Sequence, residues 1–158
     1  MPTVRVIGLG TPDAGDDAAG LLAVRAARDA LAAVPGVDVV ESAAPLDALD
    51  LLDEADAAVI VDAVRTSLGG REPGDLIRAE AGPDGLPAEV RSSLSSHGLG
   101  LAEAVGLAAA LGSASRIVFL GIEVAEVAAG GGLTPAVARS VPELSARIVT
   151  EARALART

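Results

Sequence analysis

The stretch AAVIV at residues 57–61, followed at once by Asp62, decides the fold. Five consecutive apolar residues, the last three β-branched, are typical of a strand that is buried on both faces of a sheet. Because Asp62 comes directly after this run, the pattern predicts a buried strand that ends at a carboxylate. Shorter or more mixed runs predict further strands at 3–9, 37–41 and 116–124, and an edge strand at 75–80.

Helical patterns separate these strands. The first predicted helix is capped by Asp16 or Asp17 and extends to about Val34, just before a proline. Strands that alternate with helices form a mostly parallel sheet with helices on both faces. The longest remaining loop is expected at 81–96. Further helices are predicted at 46–54, at 99–111, and from Pro135 with a restart at Pro142.

Composition excludes several classes of function. The chain has 158 residues, the size of one domain, so we expect a single domain that spans 1–158. It contains no cysteine, which excludes disulfides and thiolate chemistry. A net charge of −10 and the absence of Trp and Tyr argue against a nucleic-acid partner. Without a leader-like segment or an apolar stretch long enough for a bilayer, we expect a soluble cytoplasmic protein with no membrane contact.

Two acidic groups are expected to meet at one edge of the sheet. In parallel sheets, ligands bind beyond the carboxyl ends of the strands, at the point where the strand order reverses. With an order such as 2-1-3, this point lies between the first and third strands. Asp16 and Asp17 follow the first strand and Asp62 ends the third. The fold therefore brings together carboxylates that are distant in sequence.

His97 is the only histidine, and it precedes the helix predicted at 99–111. Two carboxylates and one imidazole form a three-ligand set that suits Ni²⁺, Zn²⁺, Mn²⁺ or Fe²⁺ better than Mg²⁺ or Ca²⁺. The residues alone therefore suggest a zinc-type hydrolase, in which a metal lowers the pKa of bound water. An aspartate that acts as general base for the attacking water is the alternative.

A phospho-receiver signalling domain is an alternative from another class. Such domains place an acidic pair after the first strand and a phosphate-accepting aspartate at the end of the third, as Asp16, Asp17 and Asp62 would. Receivers also use a lysine late in the sheet, and this chain has none. Their acidic pair follows the strand directly, whereas here a loop at 10–15 intervenes. A purely structural interaction module is a third alternative.

Four motifs together resemble those of the hydrogenase maturation endopeptidases, which trim the large-subunit precursor of nickel–iron hydrogenases. The motifs are IGLG at 7–10 with DDAAG at 16–20, VIVDA at 59–63, SHGLGL at 96–101 and GLTP at 132–135. Each is weak alone, but their shared order and spacing extend over nearly the whole chain. The resemblance implies a phosphorylase/hydrolase-like, three-layer α/β/α fold with a twisted, mostly parallel five-stranded sheet.

The resemblance also implies a function. The chain would be an endopeptidase that removes the C-terminal extension of the precursor after nickel insertion. Asp17, Asp62 and His97 match the family's three metal-contacting positions, whereas Asp16 is expected to be a helix cap. The metal is then the substrate's own nickel, so we expect no permanently bound cofactor. The expected partner is the large-subunit precursor, and the chain is expected to be a monomer.

This chain departs from the family pattern in two places. Members usually have Gly-Asn after the first strand, where this chain has Gly10-Thr11. They usually have Asp-Gly-Gly-Thr after the second strand, where this chain has ESAA at 41–44. Glu41 keeps the charge, but the lost glycines give this loop side chains where a substrate segment is expected to approach. A diverged paralogue that binds a precursor without cutting it is therefore a further alternative.

Overall fold

The computed structural model describes residues 3–12, 14–65, 70–94, 99–114, 116–125 and 132–157, which form five strands and five α-helices. Short 3-10 turns at Gly15–Ala18 and Pro45–Asp47 lead into the first two helices. The strands are β1 (Val4–Leu9), β2 (Val37–Ser42), β3 (Ala57–Val64), β4 (Leu76–Glu80) and β5 (Arg116–Glu123). The helices are α1 (Ala19–Ala32), α2 (Ala48–Asp53), α3 (Ala88–Ser93), α4 (Leu99–Leu111) and α5 (Pro135–Ala156).

The strands form one five-stranded sheet in the order β2-β1-β3-β5-β4. All neighbours are parallel except β4, which runs antiparallel to β5 at the edge. The predicted mostly parallel sheet, the 2-1-3 order of its first strands and the edge position of the fourth strand are confirmed. Because β3 lies between two parallel neighbours and under helices on both faces, all eight of its residues are buried.

Two apolar layers cover the sheet. On one face α1 and α5 pack together, and buried residues such as Val24 of α1 and Ile148 of α5 contact the sheet core. On the other face α2 and α4 bury residues such as Leu52 and Leu101 against Ile60 of β3. This arrangement is the expected three-layer α/β/α fold. Among the described residues, no helix is both long enough and apolar enough to cross a bilayer.

Helices α5 and α3 differ from the predicted secondary structure. The helix α5 does not restart at Pro142 but continues through it as a single element. Buried side chains lie on one stripe before and after the proline, including Val137 and Leu144, so burial of that stripe outweighs the lost backbone hydrogen bond. The loop expected at 81–96 contains the short helix α3, which buries Val90 against the α2 and α4 layer.

Candidate functional site

Asp62 is a completely buried carboxylate near the carboxyl end of β3. Its exposed fraction is 0%, and its Oδ1 accepts a hydrogen bond from the backbone N–H of Ala63 at 2.8 Å. The sequence predicts that the strand ends at Asp62. In the structure the strand pairs with β5 for two more residues, as far as Val64 opposite Glu123. Side chains alternate along a strand, so Asp62 shares its sheet face with Ile60, on the side of α2 and α4.

Two glycines bring the start of α1 against this part of the sheet. A Cβ atom on Gly20 would lie 3.1 Å from Asp62 Cα, and one on Gly10 would lie 2.7 Å from the backbone oxygen of Asp17. Neither contact has room for a larger side chain, because the opposing atoms are backbone. Asp17 lies one turn before Gly20, in the 3-10 turn that precedes α1. Asp17 and Asp62 therefore lie at the same end of the parallel strands, the carboxyl end. Asp17 lies on the face of the sheet that α1 covers.

The direct polar partner of Asp17 among the described residues is Arg65, not Asp62. Arg65 follows β3, and its Nη2 lies 3.3 Å from Asp17 Oδ1 and 3.4 Å from Oδ2. The Asp17 side chain is 22% exposed and that of Arg65 is 37% exposed. Asp17, the more exposed of the two candidate carboxylates, is thus already paired with a cation.

Asp16 has a structural role, although not the predicted one. Neither the 3-10 turn nor α1 receives a side-chain cap from it. Instead, Asp16 Oδ1 accepts a hydrogen bond from the backbone N–H of Thr134 at 2.7 Å, and Oδ2 accepts one from the Thr134 hydroxyl at 2.8 Å. Thr134 is the N-cap residue of α5, so the buried Asp16 carboxylate joins the start of α1 to the start of α5. The expectation that Asp16 caps its own helix is wrong because its side chain faces the neighbouring helix.

His97 lies outside the described residues, as do the other residues at 95–98. In the part of the chain that the structure describes, no group of three or more His, Asp or Glu side chains forms a metal cluster. The three-ligand set of Asp17, Asp62 and His97 therefore stays a prediction.

Among the described residues, sequence reasoning missed one further buried carboxylate besides Asp16 and Asp62. Glu123, the last residue of β5, is 2% exposed and lies on the same sheet face as Asp62 by strand alternation. Its Oε1 is 3.8 Å from Arg71 Nε. The available signal was the apolar run at 117–122 that leads into Glu123, the same pattern that drew attention to Asp62. Arg65 carried no comparable signal.

Comparisons with known proteins identify the family. A sequence model described as HycI, hydrogenase maturation protease, matches residues 24–151, about four fifths of the chain. The chain belongs to the hydrogenase maturation protease family. Membership of this family supports assignment of the chain as a peptidase and confirms the resemblance drawn from the four motifs. The matched region contains Asp62 and the position of His97, and it begins after Asp17. No curated protein matches the chain.

Solved structures of hydrogenase maturation proteases share the fold. The maturating endopeptidase HybD from E. coli is 21% identical, with a TM-score of 0.74 over 96% of this chain and 92% of that one. HybD from Thermococcus kodakarensis is 24% identical, with a TM-score of 0.71 over 95% and 99% of the two chains. A hydrogenase 2 maturation peptidase from a Thaumarchaeota archaeon is 18% identical, with a TM-score of 0.64 over 94% and 97%.

The topology of this maturation protease also differs from that of a receiver domain. Receiver domains have the strand order 2-1-3-4-5. Here the last strand in sequence lies beside β3, and β4 forms an antiparallel edge. Together with the family match, this order sets the phospho-receiver alternative aside.

Proposed function

We propose that the chain is an endopeptidase that removes the C-terminal extension from the large-subunit precursor of a nickel–iron hydrogenase after nickel insertion. In this proposal Asp17, Asp62 and His97 contact the nickel that the precursor carries. The nickel is part of the substrate, so the proposal includes no resident cofactor. The enzyme would act as a monomer in the cytoplasm.

The common position of Asp17 and Asp62 is the observation that carries the proposal. Gly20 lets α1 begin against the backbone of Asp62, and this contact puts Asp17 at the same end of β3. A carboxylate in an apolar strand is retained only where it has a partner or a task, because its burial is unfavourable. The helix α4 begins at Leu99, two residues after His97, and packs on the sheet face of Asp62.

The chemistry of the three side chains suits a nickel that arrives with the substrate. Carboxylate oxygens and an imidazole nitrogen bind Ni²⁺, while the absence of cysteine leaves out the thiolates that favour permanent retention of softer metals. Peptide hydrolysis requires water to add to the scissile carbonyl while the C–N bond breaks and the new amine takes up a proton. A carboxylate at the site would accept a proton from the attacking water as general base.

The two carboxylates differ in their access to a precursor. Asp62 has no exposed surface, whereas Asp17 is 22% exposed. A docking precursor would therefore meet Asp17 first, and contact with Asp62 would follow once the substrate or a local rearrangement opens the end of β3. This order gives the two residues separate tasks, with Asp17 as the outer contact and Asp62 as the inner one.

The test compares nickel-loaded and nickel-free precursor. Purified large-subunit precursor from the same organism is incubated with the full chain, and its mass is measured over time. We expect loss of the C-terminal extension only from the nickel-loaded form, and no loss with Asp62→Asn or His97→Ala. Circular dichroism and thermal melting would show that the variants are folded.

Two outcomes would contradict the proposal. Cleavage of the nickel-free precursor at the same rate would remove nickel recognition from it. Binding of the nickel-loaded precursor without any change in mass would instead identify the chain as a diverged paralogue that binds and does not cut.

A further inference from the structure

The contact between Arg65 and Asp17 has the geometry of an exchangeable ion pair. One nitrogen, Nη2, lies between both carboxylate oxygens at 3.3 and 3.4 Å, distances at the long end for a hydrogen bond. The guanidinium does not use its two-nitrogen fork here, although that arrangement gives the strongest binding to a carboxylate. Both side chains also retain contact with solvent.

Arg65 keeps this position in spite of an unfavourable feature. Its Nε is buried and meets no hydrogen-bond acceptor among the described residues. A buried donor without an acceptor destabilises the folded state. The folded state would therefore be more stable with a different rotamer or a different residue at position 65. The contact with Asp17 thus points to a role in function.

On the basis of the function proposed above, we propose that Arg65 is a displaceable counter-ion that occupies the oxygens of Asp17 until the precursor's nickel replaces it. The guanidinium and the metal ion are both cations and compete for the same two oxygens. Arg65 is in this sense a positioning residue that acts through Asp17, and it takes no part in bond cleavage.

The competition gives the site a way to distinguish nickel in the precursor from free ions. The chain has a net charge of −10, and such a field attracts divalent cations from solution. A free Ni²⁺ ion must displace Arg65 with the energy of its own coordination alone. Nickel in a docked precursor has the protein–protein contacts in addition, so it displaces Arg65 more readily. Displacement of Arg65 lowers both affinities by the same factor, but only the precursor has further contacts that offset this loss. Arg65 therefore keeps free Ni²⁺ off Asp17 at concentrations at which the precursor still binds.

Isothermal titration of the full-length protein with Ni²⁺ tests this inference without any precursor. We expect Arg65→Met to lower the Kd for Ni²⁺ by roughly two- to fivefold, the size expected for loss of a competing, partly exposed ion pair. Arg65→Lys, which keeps the charge, should bind Ni²⁺ much as the wild type does. Arg65→Gln is measured in parallel in case the methionine variant does not fold.

The matched control is Arg28→Met. This change removes the same charge from an exposed pair with Glu41, which keeps its contacts with Arg25. It should alter the Kd less than about twofold, since distant exposed charges are screened. The double variant Asp17→Asn with Arg65→Met should lose the gain in affinity.

Equal Ni²⁺ affinity in the Arg65→Met and Arg28→Met variants would overturn the inference. A gain that persists in the double variant would do so too, because the stronger binding would not involve Asp17. Failure of the proposed function has a different signature, namely a precursor whose mass does not change.

Discussion

Two carboxylates at the carboxyl edge of the sheet are each held by arginine, but in different ways. At the end of β2, Arg25 places Nε and Nη2 on the two oxygens of Glu41 at 3.0 and 2.9 Å, and Arg28 adds a third contact at 2.8 Å. In the 3-10 turn before α1, Asp17 is contacted by a single nitrogen of Arg65 at 3.3 and 3.4 Å.

The difference separates a structural carboxylate from an available one. Both arginines of the Glu41 group belong to α1, so the group joins that helix to β2. Its short, forked hydrogen bonds occupy both carboxylate oxygens. The loop at 41–44 departs from the family pattern, and the side chains that replace its lost glycines were expected to lie where a substrate segment approaches. Glu41, which keeps the charge of this loop, is engaged with α1, whereas Asp17 keeps oxygens that another cation can take.

Substitution of the two carboxylates should give the largest contrast. Given the proposed function, Asp17→Asn should reduce processing of nickel-loaded precursor by at least about 10-fold, because even a group that only orients a metal ligand typically contributes about 10- to 100-fold. Glu41→Gln should leave the rate within about threefold, since its contacts are structural and exposed. Rates are measured as the loss of precursor mass under single-turnover conditions.

An equal loss of processing rate in Asp17→Asn and Glu41→Gln would show that the two carboxylates do not differ in role. Asp17→Ala serves as a second test of the same residue, because asparagine retains an oxygen that is able to contact a metal. A wild-type rate in Asp17→Ala would exclude Asp17 from the mechanism.

Asp16 extends the comparison to the residue beside Asp17. Asp16→Ala would leave the N–H and the hydroxyl of Thr134 without their shared acceptor. We expect the free energy of unfolding to fall by about 1.5–3 kcal/mol, the range for a lost hydrogen bond to a charged group. Asp17→Ala should lower it by less than about 1 kcal/mol, as for exposed ion pairs. Urea denaturation measures both, and a larger effect at Asp17 would reverse the assigned roles.

The sequence was sufficient to predict most of the fold. Long apolar runs such as 57–61 have one stable environment, a strand covered on both faces, and their alternation with helices leaves few topologies. Local signals failed where tertiary packing decides the outcome. A proline usually ends a helix, but Pro142 does not, because the buried stripe continues on both sides of it. The short helix α3 is likewise stabilised by the layer on which it packs.

The candidate site was predictable in its position but not in its contacts. The strand order indicated that Asp17 and Asp62 reach one edge, because parallel strands share their carboxyl end. No pattern in the sequence relates Asp16 to Thr134 or Asp17 to Arg65, since these pairs depend on side-chain direction and on the close approach that Gly20 permits. Glu123 was within reach of the same reasoning that selected Asp62, as each ends an apolar run.

The pH dependence of stability should give the smallest contrast. The hydrogen bonds and charges of Arg25, and then of Arg28, lower the pKa of Glu41 from its ordinary value of about 4.5. A carboxyl whose pKa is lower in the folded state stabilises that state at pH values above the ordinary pKa, and this contribution is lost as the pH falls through the folded-state value. The wild type should therefore exceed Glu41→Gln in free energy of unfolding by about 0.5–1 kcal/mol at neutral pH, since the arginines are nearly half exposed.

Urea denaturation of the wild type and Glu41→Gln at about pH 7 and about pH 3 measures this difference, which should shrink toward zero in acid. Because Arg25 is the larger cause of the lowered pKa, Arg25→Met should reduce the pH-dependent difference more than Arg28→Met does. An equal reduction would assign the two arginines the same weight. The difference in free energy of unfolding between wild type and Glu41→Gln could instead stay constant from neutral to acid pH. The carboxylate charge of Glu41 would then not hold α1 to β2, and the contrast with Asp17 would rest on geometry alone.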